Sequence, residues 1–329
     1  MDRIVPRVSV AVPLFNEEVG IPELLRRTRA VLDSLPGGPH EVVLVDDGSR
    51  DGTLALLEQE AQHDDRLTVI SLSRNFGHQA ALTAALDYVD GDVTILIDGD
   101  LQDPPELIPQ FLEQYAVGYD VVYAVRASRS EVWWLRSAYF VFYRILSVLS
   151  TVKLPFDSGD FSLLSRRVVE QLRATRERHR FLRGLRAWVG FRQSAILVER
   201  PGRFAGTSKY SLRKLLRLAF DGVFAFSVVP IRASLFIGAL AITVTGLFAL
   251  YALYAKLFMH QVPQGFTALT LLLTFFFGMQ LLFMGVIGEY VGRVYEEVKA
   301  RPLYVIDRVI GRGNGRSRMH AGDIARPYE

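Results

Sequence analysis

In the first 230 residues, hydrophobic positions fall into short runs rich in valine and isoleucine, separated by stretches with helical spacing such as 23–32. Runs of this kind predict buried strands, and the spacing between them predicts amphipathic helices. The predicted strands are 7–12, 41–45, 67–72, 93–97 and 120–125. Alternating strands and helices predict an α/β fold with a mostly parallel sheet and right-handed crossovers.

The hydrophobic pattern changes in the last third of the chain. Segment 233–255 has 23 residues without a charge and segment 265–288 has 24. At about 1.5 Å per residue, each can cross a hydrocarbon core of about 30 Å. The alternative is a pair of buried helices in a large soluble protein, but such helices usually keep a polar stripe, and 271–288 has almost none. We therefore expect a two-helix transmembrane hairpin over 231–290.

Charge predicts how this hairpin is oriented. The loop between the two segments carries only Lys256, whereas basic residues flank both outer ends: Arg200, Arg203, Lys209, Arg213, Lys214, Arg217 and Arg232 before the first, and Arg293, Lys299, Arg301 and Arg308 after the second. Cytoplasmic flanks carry the excess of Lys and Arg, so both termini are expected in the cytoplasm. The first apolar run, 8–12, is too short for a signal peptide. The chemistry must then lie in the first 230 residues.

Composition limits that chemistry. The 329 residues contain no cysteine, which excludes disulfides, thiol catalysis and cysteine-bound metals. The six histidines are scattered, so a metal is expected on oxygen ligands. Residues 1–120 carry 8 basic and 22 acidic residues, while 121–329 carry 30 and 13, so the two halves face different partners. The basic half suits anionic lipid better than nucleic acid, since no nucleic-acid-binding motif accompanies it.

Three polar clusters follow predicted strands, at 13–18, 46–49 and 98–103. Each cluster could instead have a purely structural role. Asn16, for example, could be a helix N-cap, and Asp47 could lie in an ordinary turn. Asp98 and Asp100 favour a functional role, because neighbouring carboxylates two apart on an extended chain repel each other unless a cation or proton intervenes. Oxygen ligands suit Mg²⁺ or Mn²⁺ bridging to a nucleotide diphosphate. No GxxxxGK[ST] or GxGxxG motif follows any strand, which argues against a P-loop NTPase and a dinucleotide enzyme.

Five segments taken together resemble one family. They are VPLFNEE at 12–18, VDDGS at 45–49, DGDLQDPPE at 98–106, GDF at 159–161 and RFAGTSKY at 203–210. This ordered set is similar to that of the polyprenyl-phosphate glycosyltransferases, inverting family 2 enzymes with a Rossmann-like GT-A fold that are related to dolichol-phosphate mannose synthase and the bactoprenol glucosyltransferases. The resemblance covers about residues 7–306, including the hairpin.

The resemblance implies roles for matching positions. Donor binding falls to Pro13, Phe15, Asn16, Glu17, Val45, Asp46, Asp98, Gly99 and Arg126; the metal falls to Asp98, Asp100 and Gln102; and catalysis falls to Asp100, Asp160, Arg203 and Lys209. Two positions depart from the family. Phe15 replaces a more usual tyrosine, which removes a hydroxyl contact but keeps stacking. Ser162 stands where an arginine usually follows the GDF motif, so that arginine's role is absent or supplied elsewhere.

General chemistry agrees with these roles. A divalent ion with Arg203 and Lys209 would neutralise the charge that develops on a departing nucleotide. The acceptor in this family is a phosphate monoester, which is largely ionised at neutral pH and needs no strong general base. Asp160 could therefore act as a base, orient the sugar, or only cap local structure. His78 is expected to cap or pack.

Two segments that mix aromatic, leucine and basic residues, 133–144 and 210–226, are typical of interfacial helices. The alternative for the first is a core helix of the soluble domain. Four basic residues are expected at the membrane surface or the lipid phosphate: Arg136, Arg144, Arg213 and Lys214. After Ile310, a glycine- and arginine-rich stretch is expected to form a disordered basic tail.

These inferences define the predicted organisation: a cytoplasmic GT-A domain at 1–208, an amphipathic segment at 209–230, a hairpin at 231–290 and a cytoplasmic tail at 291–329. The expected protein is a two-span enzyme of the cytoplasmic membrane, and tetramers are compatible with the resemblance. It would transfer one sugar, with UDP-glucose the first choice of donor, to undecaprenyl phosphate for envelope glycan modification. The alternatives are an acceptor such as diacylglycerol or polysaccharide, or a non-catalytic membrane scaffold.

Overall fold

The computed structural model describes residues 5–126, 158–178, 180–198, 229–258 and 265–311. Within these residues one mixed sheet has the strand order β7-β5-β6-β4-β1-β2-β3-β8. The strands are β1 Val8–Leu14, β2 Glu41–Asp46, β3 Leu67–Leu72, β4 Val93–Leu96, β5 Val121–Arg126, β6 Ser158–Ser165, β7 Gln193–Val198 and β8 Ile306–Gly311. The five strands predicted from the sequence are all present, with ends that differ by at most two residues.

The centre of the sheet is parallel, as expected. Strand β1 pairs in parallel with β2 and β4, and β2 with β3. Strand β6 lies antiparallel between β4 and β5, and β5 pairs in parallel with β7. Every position of β1 and β3 is buried, as expected for inner strands of a sheet that is covered on both faces.

Helices cover both faces of this sheet. They are α1 Ile21–Ser34, α2 Thr53–His63, α3 His78–Tyr88, α4 Ile108–Ala116, α5 Arg166–Ala174 and α6 Leu182–Trp188. Side chains of α1, α2 and α4 share one apolar core with one face of the sheet. Side chains of α3, α5 and α6 share a second core with the other face. This is the α/β/α layering that the alternating pattern predicts.

The C-terminal part departs from the predicted tail at 291–329. Residues Ile306–Gly311 form β8, which pairs antiparallel with β3 at the edge of the sheet. The chain returns to the first compact unit (1–143, 152–210 and 301–329) after the second unit (144–151 and 211–300). The GT-A domain therefore includes a strand that is distant in sequence from the rest of it.

The second unit contains two long helices, α7 Val229–Phe258 and α8 Phe266–Val298. Among the residues that the structure describes, Phe275–Val298 is the one segment long and apolar enough to cross a membrane. Phe236–Phe248 is a shorter apolar stretch. Helix α8 extends ten residues past the predicted end of the second span at 288. One candidate span is thus present, and the two-span hairpin stays a prediction.

Candidate active site

The strand order places a crevice beyond the carboxyl ends of β1 and β4. Strands β2 and β3 follow β1 in order on one side of it, whereas β4 pairs with β1 on the other side. The direction in which strands are added to the sheet therefore reverses between β1 and β4. Ligands of open α/β sheets bind at such a reversal. The polar clusters 13–18 and 98–103 follow these two strands, and 46–49 follows the neighbouring β2.

The loop after β1 is locked to the loop after β2. The Asn16 backbone N–H donates to Ser49 Oγ at 3.0 Å, and Asn16 Oδ1 accepts from the Arg50 N–H at 2.8 Å. Asn16 adopts a left-handed φ of 56°, and α1 begins only at Ile21 with Gly20 before it. Asn16 is therefore not the N-cap of α1. It joins two loops of the site.

Neighbouring residues extend this lock. The Glu17 N–H donates to Thr53 Oγ1 at 3.0 Å, and Glu18 Oε2 accepts from the Gly52 N–H at 2.9 Å. Phe15, by contrast, is 42% exposed at the end of β1, so its ring is available to a ligand. Pro13 and Val45 are buried within β1 and β2.

Asp46 and Asp47 organise the end of β2. Asp46 is buried and accepts the Ser49 N–H at 3.2 Å, and burial raises the pKa of its carboxyl although the Ser49 hydrogen bonds oppose the shift. Asp47 accepts the N–H groups of Phe76 and Gly77 at 2.7 and 2.9 Å. This contact holds the loop before α3 against β2.

Gly48 makes that close contact sterically possible. Its φ is +66°, and a Cβ built on it would lie 2.6 Å from the Arg74 carbonyl carbon. Any side chain at position 48 would push the two loops apart.

The turn after β4 carries the acidic motif. Strand β4 ends at Leu96, and a turn begins at Gly99, so Asp98 and Asp100 do not lie on the extended chain expected from the sequence. A Cβ on Gly99 would overlap Leu14 Cδ2 and lie 3.2 Å from the Pro13 carbonyl oxygen, so glycine lets this turn pack against the end of β1. Leu101 adopts φ 59°, which is strained for a leucine. The Gln102 N–H donates to Asp100 Oδ1 at 3.2 Å.

His78, Asp98 and Asp160 meet at this edge. His78 Nε2 lies 3.7 Å from Asp98 Oδ1 and 3.2 Å from Asp160 Oδ2, and the ligand atoms of all three residues lie within 4.8 Å of one another. His78 is the first residue of α3, Asp98 follows β4, and Asp160 lies on β6. The structure thus places His78 in the site, not in the packing or capping role expected for it. His78 follows β3 in the chain. Its position after a predicted strand, where polar residues of a site gather, is the sequence feature that could have identified it.

Arg183 holds Asp160 from the other side. Its Nε and Nη2 donate to the two carboxylate oxygens of Asp160, both at 2.8 Å. Asp160 is 4% exposed, and although burial alone would raise its pKa, the hydrogen bonds from Arg183 and His78 hold that pKa well below its usual range. Asp160 is therefore an ionised carboxylate and a poor proton acceptor at neutral pH.

The same contacts act on His78. Partial burial would lower the pKa of its imidazole, but the hydrogen bond to Asp160 and the charge of Asp98 outweigh burial and raise that pKa above its usual value. A protonated His78 would carry its charge between two carboxylates.

The donor atoms at this edge fit a divalent cation. Asp98 and Asp100 offer carboxylates and Gln102 offers an amide oxygen, which are the hard ligands that Mg²⁺ and Mn²⁺ prefer. Asp160 is the less available carboxylate, since both of its oxygens already accept from Arg183. Asp100 lies outside the group formed by His78, Asp98 and Asp160.

Of the remaining predicted site residues, the structure describes Arg126. Arg126 ends β5, where it pairs with Val198 of β7. The two predicted interfacial segments, 133–144 and 210–226, lie outside the described part of the chain. So do six of the predicted basic residues: Arg203, Lys209, Arg136, Arg144, Arg213 and Lys214.

Two arginines were missed altogether, Arg183 and Arg186 on α6. Both approach β6 at Gly159 and Asp160. They belong to a generally basic stretch, and nothing in their spacing distinguishes them from surface residues.

A mixed α/β sheet of this order, with acidic residues beyond the ends of β1, β2 and β4, is the architecture of GT-A glycosyltransferases. The mannosyltransferase PcManGT from Pyrobaculum calidifontis, solved with GDP-Man and Mn²⁺, has the same fold: the TM-score is 0.50 at 22% identity, over 68% of this chain and 64% of that one.

Sequence comparison identifies the family. Residues 9–173 match the model of Glycosyl transferase family 2. The chain is 38% identical to the bactoprenol glucosyl transferase of Shigella phage SfII, over 92% of this chain and 98% of that protein. It is 41% identical to the uncharacterized glycosyltransferase YkcC of Bacillus subtilis, over 94% and 95%. The chain belongs to glycosyltransferase family 2, and the resemblance inferred from its five motifs is confirmed.

Proposed function

We propose that this enzyme transfers one sugar from a nucleotide-diphosphate sugar to polyprenyl phosphate, with inversion at the anomeric carbon and UDP-glucose as the first choice of donor. One observation supports this most: Asp98 meets His78 and Asp160 at the sheet edge where GT-A enzymes bind their donors. The bactoprenol acceptor comes from the name of a relative that aligns over 92% of the chain.

The donor half of the site follows from the loops. The exposed Phe15 ring is positioned to stack on the base, and the interlocked loops of Asn16, Glu17 and Asp46 shape the nucleotide pocket. A divalent cation, Mg²⁺ or Mn²⁺, held by Asp98, Asp100 and Gln102 would neutralise charge on the departing nucleoside diphosphate. The sequence resemblance implies that Arg203 and Lys209 also neutralise charge on this leaving group.

The acceptor half needs little help from a base. A phosphate monoester has a second pKa near about 6, so its oxygen is largely ionised at neutral pH. That oxygen attacks the anomeric carbon while the bond from this carbon to the donor diphosphate breaks, and no proton must leave the nucleophile. This agrees with the ionised, Arg183-bound state of Asp160, whose role we assign to orienting groups in the site.

The second unit supports attachment to a membrane. None of the Phe275–Val298 segment is buried, and large apolar side chains of both α7 and α8 are exposed, among them Leu240, Leu247, Leu281 and Leu282. Exposed apolar surface of this extent needs a lipid or protein partner. We assign both helices to the bilayer, with the catalytic unit on the cytoplasmic side.

A donor screen tests this function. The purified protein in detergent, with Mg²⁺ or Mn²⁺ and a short-chain polyprenyl phosphate, should release nucleoside diphosphate from one nucleotide sugar only when the lipid is present. Asp98→Asn should lose this release by at least about 100-fold, because it removes an anionic ligand of the cation that would neutralise the departing diphosphate. The matched control is Asp65→Asn, an exposed carboxylate before β3 at the opposite edge of the sheet. Release that is equally fast without the lipid would refute the acceptor assignment.

A further inference from the structure

Arg186 is a buried guanidinium with incomplete hydrogen bonding. The residue is 2% exposed, and its Nη1 reaches the Gly159 carbonyl oxygen at a long 3.4 Å. Its Nε and Nη2 have no hydrogen-bond partner within the described residues. Burial lowers the pKa of Arg186 to about 10, so the group remains charged at neutral pH. Such burial is costly, and a costly group indicates a function other than stability.

The Arg186 guanidinium packs on a tyrosine ring of the sheet. Its Cζ lies 4.9 Å from the ring centre of Tyr123 on β5. Tyr123 is the register partner of Ser162 on β6, and paired residues of antiparallel strands project to the same face. Asp160, two residues before Ser162, projects to that face too. Arg186 therefore lies over the part of the sheet that carries Ser162 and Asp160.

Ser162 leaves room for this guanidinium. It is fully buried, and its short side chain turns back to donate from Oγ to the Asp160 carbonyl oxygen at 2.8 Å. A long side chain at position 162 would project into the space that Arg186 reaches from α6. Position 162 is also where the motif that begins at Gly159 usually carries an arginine.

We propose that Arg186 supplies from α6 the guanidinium that this motif usually carries at position 162, and that it is a positioning residue for Asp160. The inference rests on the transferase function proposed above. Arg183 and Arg186 are one helical turn apart and approach the same strand, Arg183 at the carboxylate and Arg186 at the preceding carbonyl. Together they fix the start of β6, and thereby the carboxylate that contacts His78.

The first test is Arg186→Leu. Replacing a buried charge with an apolar side chain of similar reach is often neutral or stabilising, so we expect an unchanged or higher Tm. We also expect kcat to fall by at least about tenfold at saturating donor and lipid, because Asp160 loses its support. A kcat within twofold of the wild type would overturn the positioning role. Arg192→Leu is the matched control, since Arg192 also stacks on a tyrosine, Tyr119, but has no contact with Asp160 among the described residues.

The second test moves the arginine. In the double variant Ser162→Arg/Arg186→Leu, the guanidinium returns to the same space from β6, and kcat should recover to within about threefold of the wild type. A double variant no faster than Arg186→Leu would contradict the exchange, whatever the stability of the single variant.

A stability measurement separates this inference from the proposed function. Ser162→Arg alone places two guanidinium groups in one space and should lower Tm, whereas the same change in the Arg186→Leu background should not. Equal effects of Ser162→Arg in both backgrounds would overturn the shared location. If the wild type turns over no nucleotide sugar, the proposed function fails, but the Tm cycle still decides whether the two positions share one space.

Discussion

His78 is the residue whose role depends most on tertiary structure. Its Nε2 lies near two carboxylates, Asp98 and Asp160, and Arg183 forms an ion pair with Asp160. An imidazolium between two carboxylates is favoured, so the local charges decide its protonation state against the effect of partial burial.

A pH-dependent stability follows from this arrangement. Because the pKa of His78 is raised in the fold, the stabilisation is complete below its usual value near 6.5 and is lost as pH rises through the higher folded value. Asp160, whose pKa is lowered, contributes stability that is constant above its usual value near 3.8. We expect the Tm of the wild type, measured with EDTA, to fall from pH 6.5 upward more than that of His78→Gln. Parallel Tm curves for the two proteins would show that His78 gains no proton affinity in the fold.

A second prediction concerns Asp100, in the turn after β4. Asp100→Asn keeps the shape of a proposed metal ligand but removes its charge. Turnover should therefore fall by at least about 100-fold, and excess Mn²⁺ should restore little of it. Near-normal turnover of Asp100→Asn, beside an unaffected Asp65→Asn control, would remove Asp100 from the metal site.

Strand β8 is the element that connects the end of α8 to the catalytic sheet. Just before it, Tyr304 donates its hydroxyl to Asp87 Oδ2 at 2.7 Å, and Arg176 also contacts Asp87. Asp87 lies on α3, the helix whose first residue is His78. Burial and the Asp87 carboxylate raise the pKa of Tyr304, so its hydroxyl stays a donor throughout the neutral range.

The substitution Tyr304→Phe tests how much the hydrogen bond from Tyr304 to Asp87 contributes to stability. A hydrogen bond to a charged group contributes about 1.5–3 kcal/mol, and this one is partly buried, so we expect a loss towards the lower end of that range in the free energy of unfolding. Arg176→Gln should cost less, because its guanidinium is half exposed and the ion pair is screened by solvent. An equal or larger effect of Arg176→Gln, measured by denaturant unfolding in detergent, would contradict this ranking.

At this scale the sequence predicted some elements better than others. Strands β1 to β4 were found because their short runs are rich in valine, isoleucine and leucine. Asp46 and Asp98 were placed at one edge because parallel strands end together. Strand β8 was missed because Ile306–Gly311 is only partly apolar and its partner β3 is more than 230 residues earlier. The arginines of α6 were missed because their contact with Asp160 depends on how a helix packs on β6, which no local pattern encodes.

The whole molecule combines an acidic N-terminal half with a basic C-terminal half and a pair of long apolar helices. Basic residues flank the helices but nearly avoid the loop between them, which predicts that this loop lies outside the cytoplasm. A cysteine at Gln261, introduced into this cysteine-free chain, should react with an impermeant thiol reagent on intact cells. A cysteine at Asp65 of the catalytic unit should react only after lysis. The reverse pattern would invert the proposed topology.

In the proposed function, the site at Asp98 transfers one sugar, without any phosphate, to a lipid phosphate. The most direct measurement is the mass of the lipid product formed from polyprenyl phosphate and the donor selected in the screen. We expect an increase of one glycosyl residue with a single phosphate retained on the lipid, and none of this product from Asp98→Asn. A product with two phosphates, or a sugar attached to another acceptor, would contradict the proposed reaction.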